Sequence, residues 1–366
     1  MPLPDDSLEK WKYMEHTQVK HEILSKYLSG WIRILGRRHS RVCYFDCFAG
    51  RGRYDRGEQG SPLIALDTAC SVKRQISYLG EIKCVFIEKN TNNFENLENE
   101  IDEEIEKNPQ KYAWLKDHIY LRNDEFCNVA SEILNSVGSD LAPSFFFIDP
   151  FGFAVPFEII KRILSIERTE VFITFMIRDV NRFLGSSTHI ISIEELYGVD
   201  NVRDILQSEY SDLTQEQALL KLYRDRLHEG ANVKYTLPFK VNADARLQTI
   251  YYLIHATNHP KGCELMKEIM YKAGTEGRFG YLGPAEGQMI LTQYDDLSEL
   301  KGFLLGRFSG RTLSYLNVRY ETLMDRYAKI MHYHDALLEL EKEEKIQIEG
   351  KGPRGGLLYD AVITFP

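Results

Sequence analysis

Val42-Cys43-Tyr44-Phe45-Asp46-Cys47-Phe48-Ala49-Gly50-Arg51-Gly52 is the stretch on which the reading of this chain turns. Val42 to Phe45 are apolar without alternation, the pattern of a strand buried on both faces of a parallel sheet. Asp46 closes that strand. Two glycines one residue apart then bend the chain, and glycine lets backbone adopt φ > 0 and approach a ligand closely. By itself an acid followed by Gly-x-Gly is also the composition of an ordinary turn. The surroundings have to decide.

Upstream, Val19, Ile23, Leu24, Tyr27, Leu28, Trp31, Ile32 and Leu35 follow a 3.6-residue period, which predicts a helix over 17–35. Downstream, Ser61-Pro62 predicts a helix start, with Ser61 as N-cap and Pro62 at the first helical position. Further apolar runs follow at Cys84–Ile87, Ile119–Leu121, Phe145–Ile148 and Val171–Ile177, with helical stretches between them. Five strands separated by helices imply a parallel sheet covered on both faces. Residues 181–230 read as helical, and 233–241 with 249–256 read as two strands joined by the short polar link 242–246. A short link suits an antiparallel hairpin. Five parallel strands, a helical segment and a terminal hairpin are the element order of a Rossmann-like methyltransferase sheet. A plain dinucleotide-binding fold would end on a sixth parallel strand.

Four acids stand at four successive strand ends: Asp46, Glu88, Asp124 and Asp149. In an open parallel sheet, ligands bind outside the carboxyl ends of the strands. Asp46 can hold an ammonium, Glu88 can accept from two ribose hydroxyls, and Asp124, beside Asn123, can accept from an adenine amino group. Phe48, Gly50 and Gly52 complete the expected cofactor loop. Each acid alone is equally a helix N-cap, Asp124 above all. A nicotinamide dinucleotide would suit the same edge, but Arg53, Tyr54 and Asp55 follow Gly52, so the third glycine of the pyrophosphate fingerprint is missing. An adenosine ligand without pyrophosphate, S-adenosylmethionine, fits better, with a nicotinamide-dependent oxidoreductase as the distant alternative.

Asp149-Pro150-Phe151-Gly152 is the expected chemical site. Amino-directed methyltransferases carry an Asp/Asn-Pro-Pro-Tyr/Phe turn here, which places an acceptor side chain and a stacking ring around an amino group. In this chain Phe151 stands at the second proline and Gly152 at the aromatic, which weakens the case for an amino acceptor. A buried Asp149 capping the next turn is the plain alternative.

With 45 Lys and Arg against 54 Asp and Glu, the net charge is −9, so bulk charge gives no argument for nucleic acid. Two local patches do: Arg37, Arg38, Arg41, Arg51, Arg53 and Arg56 around the loop, with Tyr54 among them, and Lys351 with Arg354 near the C-terminus. The latter two lie on the Gly/Pro-rich tip between strands 346–349 and 357–365, after helical segments. Helices followed by a basic-tipped hairpin predict a winged-helix-like unit over 308–366. The remaining boundaries are an N-terminal helical segment over 1–40, the α/β unit over 41–275 and a connecting segment over 276–307. Six scattered cysteines, several in strand-like runs, fit reduced thiols, and Cys43 and Cys47 lack further ligands, so no metal site is expected. The absence of a signal-like start and of a ~20-residue apolar run makes a cytoplasmic protein the expectation.

Taken together the motifs resemble the TcmP family, the three-Cys-motif partner proteins. The resemblance rests on the Lys20 helix ending near Trp31, on Tyr44-Phe45-Asp46-x-Phe48-Ala49-Gly50-x-Gly52-x-Tyr54, and on Gly60-Ser61-Pro62-Leu63. Phe147-Ile148-Asp149-Pro150-Phe151-Gly152, Tyr252-Leu253-Ile254-x-Ala256-Thr257-x-His259-Pro260-x-Gly262 and Met266-Lys267 extend it over most of the chain. It implies a methyltransferase-like protein associated with a separate three-cysteine protein similar to a radical-SAM iron–sulfur enzyme. That cluster belongs to the partner, since Gly50 stands where the third cysteine would be. An accessory protein without chemistry of its own is therefore the alternative to an enzyme.

Overall fold

The computed structural model describes residues 12–76, 79–152, 155–243, 248–274, 280–281, 296–324 and 330–366. The inner half of the 242–246 link (244–246) and most of the connecting segment (276–279 and 282–295) lie outside the described residues.

The first helix, α1 (Glu15–Leu35), leads into β1 (Arg41–Asp46), α2 (Ser61–Gln75), β2 (Glu81–Ile87), α3 (Thr91–Lys107) and the short α4 (Pro109–Tyr112). Then come β3 (Ile119–Arg122), α5 (Phe126–Val137), β4 (Ser144–Ile148), α6 (Phe157–Leu164) and β5 (Thr169–Phe175). Four helices follow: α7 (Ile177–Phe183), α8 (Ile190–Tyr197), α9 (Val202–Glu209) and α10 (Gln215–Asp225). They lead to β6 (Tyr235–Asn242), β7 (Thr249–Thr257), α11 (Pro260–Ala273) and β8 (Gly280–Tyr281).

These eight strands form one sheet in the order β3-β2-β1-β4-β5-β7-β6-β8. All pairings are parallel except those of β7, which is antiparallel to both β5 and β6. That inserted antiparallel strand separates the sheet from a plain dinucleotide-binding one and defines the Rossmann-like methyltransferase fold. β1 explains its own position at the centre. Cys43 and Phe45 pack into the core on one face, Val42 and Tyr44 into the core on the other, so both faces of the strand are dry. The first face is covered by α5, α6 and the α7–α10 segment, the second by α1, α2 and α11. Cys43 and Cys47 lie in the same apolar core, where burial pushes both thiols up.

Ser61 is not the N-cap of α2. Gly60 is, with Ser61 and Pro62 at the first two helical positions. The reason is a close backbone approach: the Gly60 N–H donates to the Gly52 carbonyl at 2.8 Å, and a Cβ on Gly60 would sit 2.8 Å from that oxygen. The Ser61 hydroxyl lies near Asp46 and favours its charged form.

The C-terminal residues run α12 (Asp296–Phe308), β9 (Thr312–Ser314), α13 (Tyr315–Glu321), α14 (Ile330–Lys342), β10 (Gln347–Lys351) and β11 (Leu357–Thr364). Their three strands pair antiparallel as β10-β11-β9 over a core of their own that includes Leu304, Phe308, Leu337, Leu340 and Ile363. The unit is bolted to α11. Buried Arg319 pairs with Glu264, the Lys267 ammonium donates to the Leu323 carbonyl at 3.3 Å, and Leu323 packs in the sheet's core. Among the described residues no helix is long and apolar enough to cross a membrane.

Candidate functional site

Because β1 to β5 are parallel, their carboxyl ends meet on one edge, and three of the four strand-end acids are held there by contacts with their neighbours. Asp46 is fully buried. Its Oδ2 accepts from the Tyr44 hydroxyl at 3.4 Å, and the nearby Ser61 hydroxyl and Phe48 N–H favour its charged form. Among the described residues its Oδ1 has no hydrogen-bond partner. Burial is the main reason that Asp46 is pushed up to about 7, with the nearby Asp149 charge adding to it. A buried carboxylate oxygen without a donor costs free energy, so this atom is poised for a cationic or hydrogen-bonding ligand.

The loop after Asp46 is shaped by its glycines. Gly50 has φ +67° and Gly52 φ +88°, both in the left-handed region. A Cβ on Gly52 would come within 3.1 Å of the Glu100 Cβ. Arg53 pairs with Glu100 and Glu104 and so fastens the loop to α3. Glu88 Oε2 accepts the Gly50 N–H at 2.9 Å and Oε1 the Asn90 N–H at 2.8 Å. Each oxygen keeps a second lone pair, so Glu88 can still accept from a diol. The Phe48 ring packs against Phe126, with centroids 5.7 Å apart.

Asp124 is committed locally. Its Oδ1 accepts from the Glu125 N–H at 2.7 Å and the Asn128 amide at 2.9 Å at the start of α5. Glu125, not Asp124, is the N-cap residue. Asn123 fixes the loop ends: its amide donates to the Glu88 carbonyl at 2.8 Å and its oxygen accepts from Thr91 at 3.1 Å.

Asp149 forms an ion pair with Lys20 of α1, and Lys20 is itself 7% exposed. The Lys20 ammonium lies 5.7 Å from the centroid of the Tyr251 ring. His16 and His21 of α1 and Tyr54 of the loop surround this pair. The Tyr54 ring lies 5.0 Å from Tyr13 and 5.9 Å from His21, and the Tyr251 hydroxyl donates to the His16 carbonyl at 2.9 Å. Pro150 is buried, Phe151 is 55% exposed, and Gly152 has φ +90°. Further along the same edge, Asn242 ends β6 buried, with neither side-chain amide atom hydrogen-bonded among the described residues.

Sequence reading missed Lys20, His16, His21, Tyr251 and Asn242. Lys20 marks the first helix in the family resemblance, but only the fold brings it to Asp149.

The six arginines do not form one patch. Arg37, Arg38 and Arg41 precede or begin β1, whereas Arg51, Arg53 and Arg56 follow it, so the strand puts about 16 Å between the groups. Arg41 pairs with Glu81 and Arg51 with Asp55, and Arg53 is neutralised as described. Lys351 pairs with Glu341 of α14.

The histidines make a pH prediction. Burial holds His21 down to about 3 and His16 down to about 4, with the Lys20 charge second in each case. A histidine held below its unfolded value binds more protons unfolded than folded between the two values. Its stabilisation is therefore complete above 6.5 and is lost as pH falls. Asp46, held above its unfolded value, works in the opposite direction between about 4 and 7. In the His21→Gln chain the His21 share is absent while that of Asp46 remains. The stability gap between wild type and His21→Gln should narrow by ~2 kcal/mol from pH 7 to pH 5, measured by denaturant unfolding. A gap that does not change with pH would refute the buried neutral ring.

No protein-family model matches this sequence, and no curated protein sequence matches it. Among solved structures, the chain is similar to an O-methyltransferase from Bacillus cereus in complex with SAH. The identity is 16%, with 70% of this chain and 93% of that one covered and a TM-score of 0.34. It is also similar to the O-methyltransferase TomG from Streptomyces achromogenes, which is involved in tomaymycin synthesis, in complex with SAM. There the identity is 12%, the coverage 71% and 93%, and the TM-score 0.33. At these scores the fold assignment stands on the strand order itself.

Proposed function

We propose that this chain is an S-adenosylmethionine-dependent methyltransferase. The observation that carries the reading is the unpartnered Oδ1 of buried Asp46, at the end of β1 in a sheet of this order and beside the Gly50–Gly52 bend. Asp46 would hold the ammonium of the cofactor's amino acid, Gly50 and Gly52 would let the backbone approach it, and Glu88 would accept from the ribose. Phe48 and Asp124 would border the adenine. The bound cofactor supplies an electrophilic methyl carbon. Asp149, Pro150 and Phe151 would then orient the acceptor, since methyl transfer depends mainly on holding the nucleophile in line.

Within this reading the acceptor belongs to a nucleic acid. Support comes from the exposed Phe151 ring beside Asp149 and from exposed Arg56 and Arg178 at the same sheet edge. The C-terminal unit has the element order of a winged helix, with Arg354 exposed at its tip. The TcmP resemblance supports a second reading, an accessory partner of a three-cysteine radical-SAM-type protein. The pairing of Asp149 with Lys20 favours it, because that carboxylate is already engaged.

The test combines binding with transfer. Wild type should bind S-adenosylhomocysteine by calorimetry and transfer a tritiated methyl group to RNA or DNA. Asp149→Ala should cut transfer at least a hundredfold without weakening S-adenosylhomocysteine binding. Binding with no transfer, together with co-purification of an iron–sulfur protein, would favour the accessory reading. A folded wild type that binds no S-adenosylhomocysteine would overturn the proposal.

A further inference from the structure

We infer that Lys20 receives the cofactor's α-carboxylate on one N–H while holding Asp149 on another. This makes it the positioning residue that links the cofactor half of the site to the acceptor half. The inference rests on the reading of this edge as a cofactor site.

A buried ammonium needs anions around it, and a lysine has three donors to place. Lys20 has one carboxylate partner, Asp149, and a ring face, Tyr251. Asp149 is close enough to Asp46 for its charge to act on the Asp46 carboxyl. Two carboxylates and one ammonium therefore lie close together, Asp46 and Lys20 buried and Asp149 partly exposed, and among the described residues one Asp46 carboxylate oxygen has no hydrogen-bond donor. An amino acid zwitterion completes this set. Its ammonium satisfies the Asp46 oxygen, and its carboxylate then needs a cation beside Asp46. Among the described residues of this edge Lys20 is the buried one, whereas Arg51 is partly exposed and Arg178 exposed. His16 and His21 cannot take that part, because burial and the Lys20 charge hold both rings neutral at physiological pH.

The arrangement also gives Lys20 a role beyond binding. Its ammonium stays fixed only if α1 stays docked, and α1 is docked by its apolar face in the sheet's core together with the bond from the Tyr27 hydroxyl to buried Glu170. A charge carried on that rigid helix and shared between the cofactor carboxylate and Asp149 sets where the Asp149 carboxylate points when the acceptor arrives.

The test compares two ligands, S-adenosylhomocysteine and 5′-methylthioadenosine. The second keeps the adenosine and thioether but has no amino acid. Lys20→Met strands Asp149, so the double variant Lys20→Met/Asp149→Asn, in which both charges are removed, is measured beside it by calorimetry. The double variant should bind S-adenosylhomocysteine at least tenfold more weakly than wild type and 5′-methylthioadenosine within twofold of wild type. Asp149→Asn alone should bind S-adenosylhomocysteine no more weakly than wild type, and Lys20→Arg should stay within about threefold. An equal loss for both ligands would mean that Lys20 is merely structural. An unchanged affinity for S-adenosylhomocysteine would place the carboxylate on the loop amides instead. Either result overturns the inference while leaving the methyltransferase reading intact. If wild type binds neither ligand, both fall.

Discussion

Asp46→Asn is expected to bind S-adenosylhomocysteine at least a hundredfold more weakly than wild type while keeping its fold. The substitution is chosen for what it preserves. The Tyr44 hydroxyl donates to Oδ2 of the Asp46 carboxylate, and an asparagine oxygen can go on accepting from it. The position of the unpartnered Oδ1 is then taken by an NH2 group. A donor there faces the cofactor's ammonium, so a charge-assisted hydrogen bond is replaced by a repulsive contact. Losing a charged hydrogen bond costs about 1.5–3 kcal/mol, and a hundredfold loss corresponds to ~2.7 kcal/mol. The pH dependence adds a second signature. Asp46 is held up to about 7, so in wild type the carboxylate becomes protonated, and the affinity drops, as pH falls below that value. The asparagine chain has no such ionisation, and its residual affinity should lose that component. Calorimetry at pH 6 and pH 8 with circular dichroism of each chain decides it. An affinity within threefold of wild type would remove Asp46 from the cofactor site.

The fold could be read from sequence because its strands are buried on both faces, and unbroken apolar runs such as Val42–Phe45 and Phe145–Ile148 announce that directly. Their acid tips follow from the parallel order, and the Gly50–Gly52 bend from the need for positive φ. Placement of β7 between β5 and β6 was legible only as a hairpin, because strand order is a long-range property. β8 and β9, two and three residues long, are too short to leave a period. The site was half legible. Lys20 and Asp149 are 129 residues apart, so no local pattern joins them. The arginine patch failed for the opposite reason. Arg41 and Arg51 are close in sequence, but β1 is extended and carries them to opposite edges of the sheet. Asp124 shows that an acid at a strand end can serve the next helix as readily as a ligand.

Phe145→Ala should lower the stability of the chain by about 3–5 kcal/mol, and the melting temperature by roughly 6–10 °C. Phe145 is fully buried as the second residue of β4. Its ring centroid lies 5.1 Å from Tyr27 and 6.0 Å from Trp31, both on α1, and 6.2 Å from Tyr44 and 6.5 Å from Phe172, on the two neighbouring strands. Truncation therefore opens a cavity between the sheet and the helix that carries Lys20. The strand side cannot collapse into it, because β4 is hydrogen-bonded to β1 and β5. Relief must come from α1, and that predicts a coupled effect at the Lys20–Asp149 pair, which this helix helps to build. Binding of S-adenosylhomocysteine should weaken in Phe145→Ala although the residue touches none of the proposed cofactor ligands. Phe145→Leu keeps most of the volume and should cost about 1–2 kcal/mol with binding nearly unchanged. Thermal melts with and without ligand measure both quantities together. If Phe145→Ala melts within about 2 °C of wild type, the aromatic cluster is not what docks α1. If it is destabilised but binds normally, the other contacts of α1, the Tyr27–Glu170 bond among them, hold Lys20 in place, and the packing against β4 serves the fold without shaping the site.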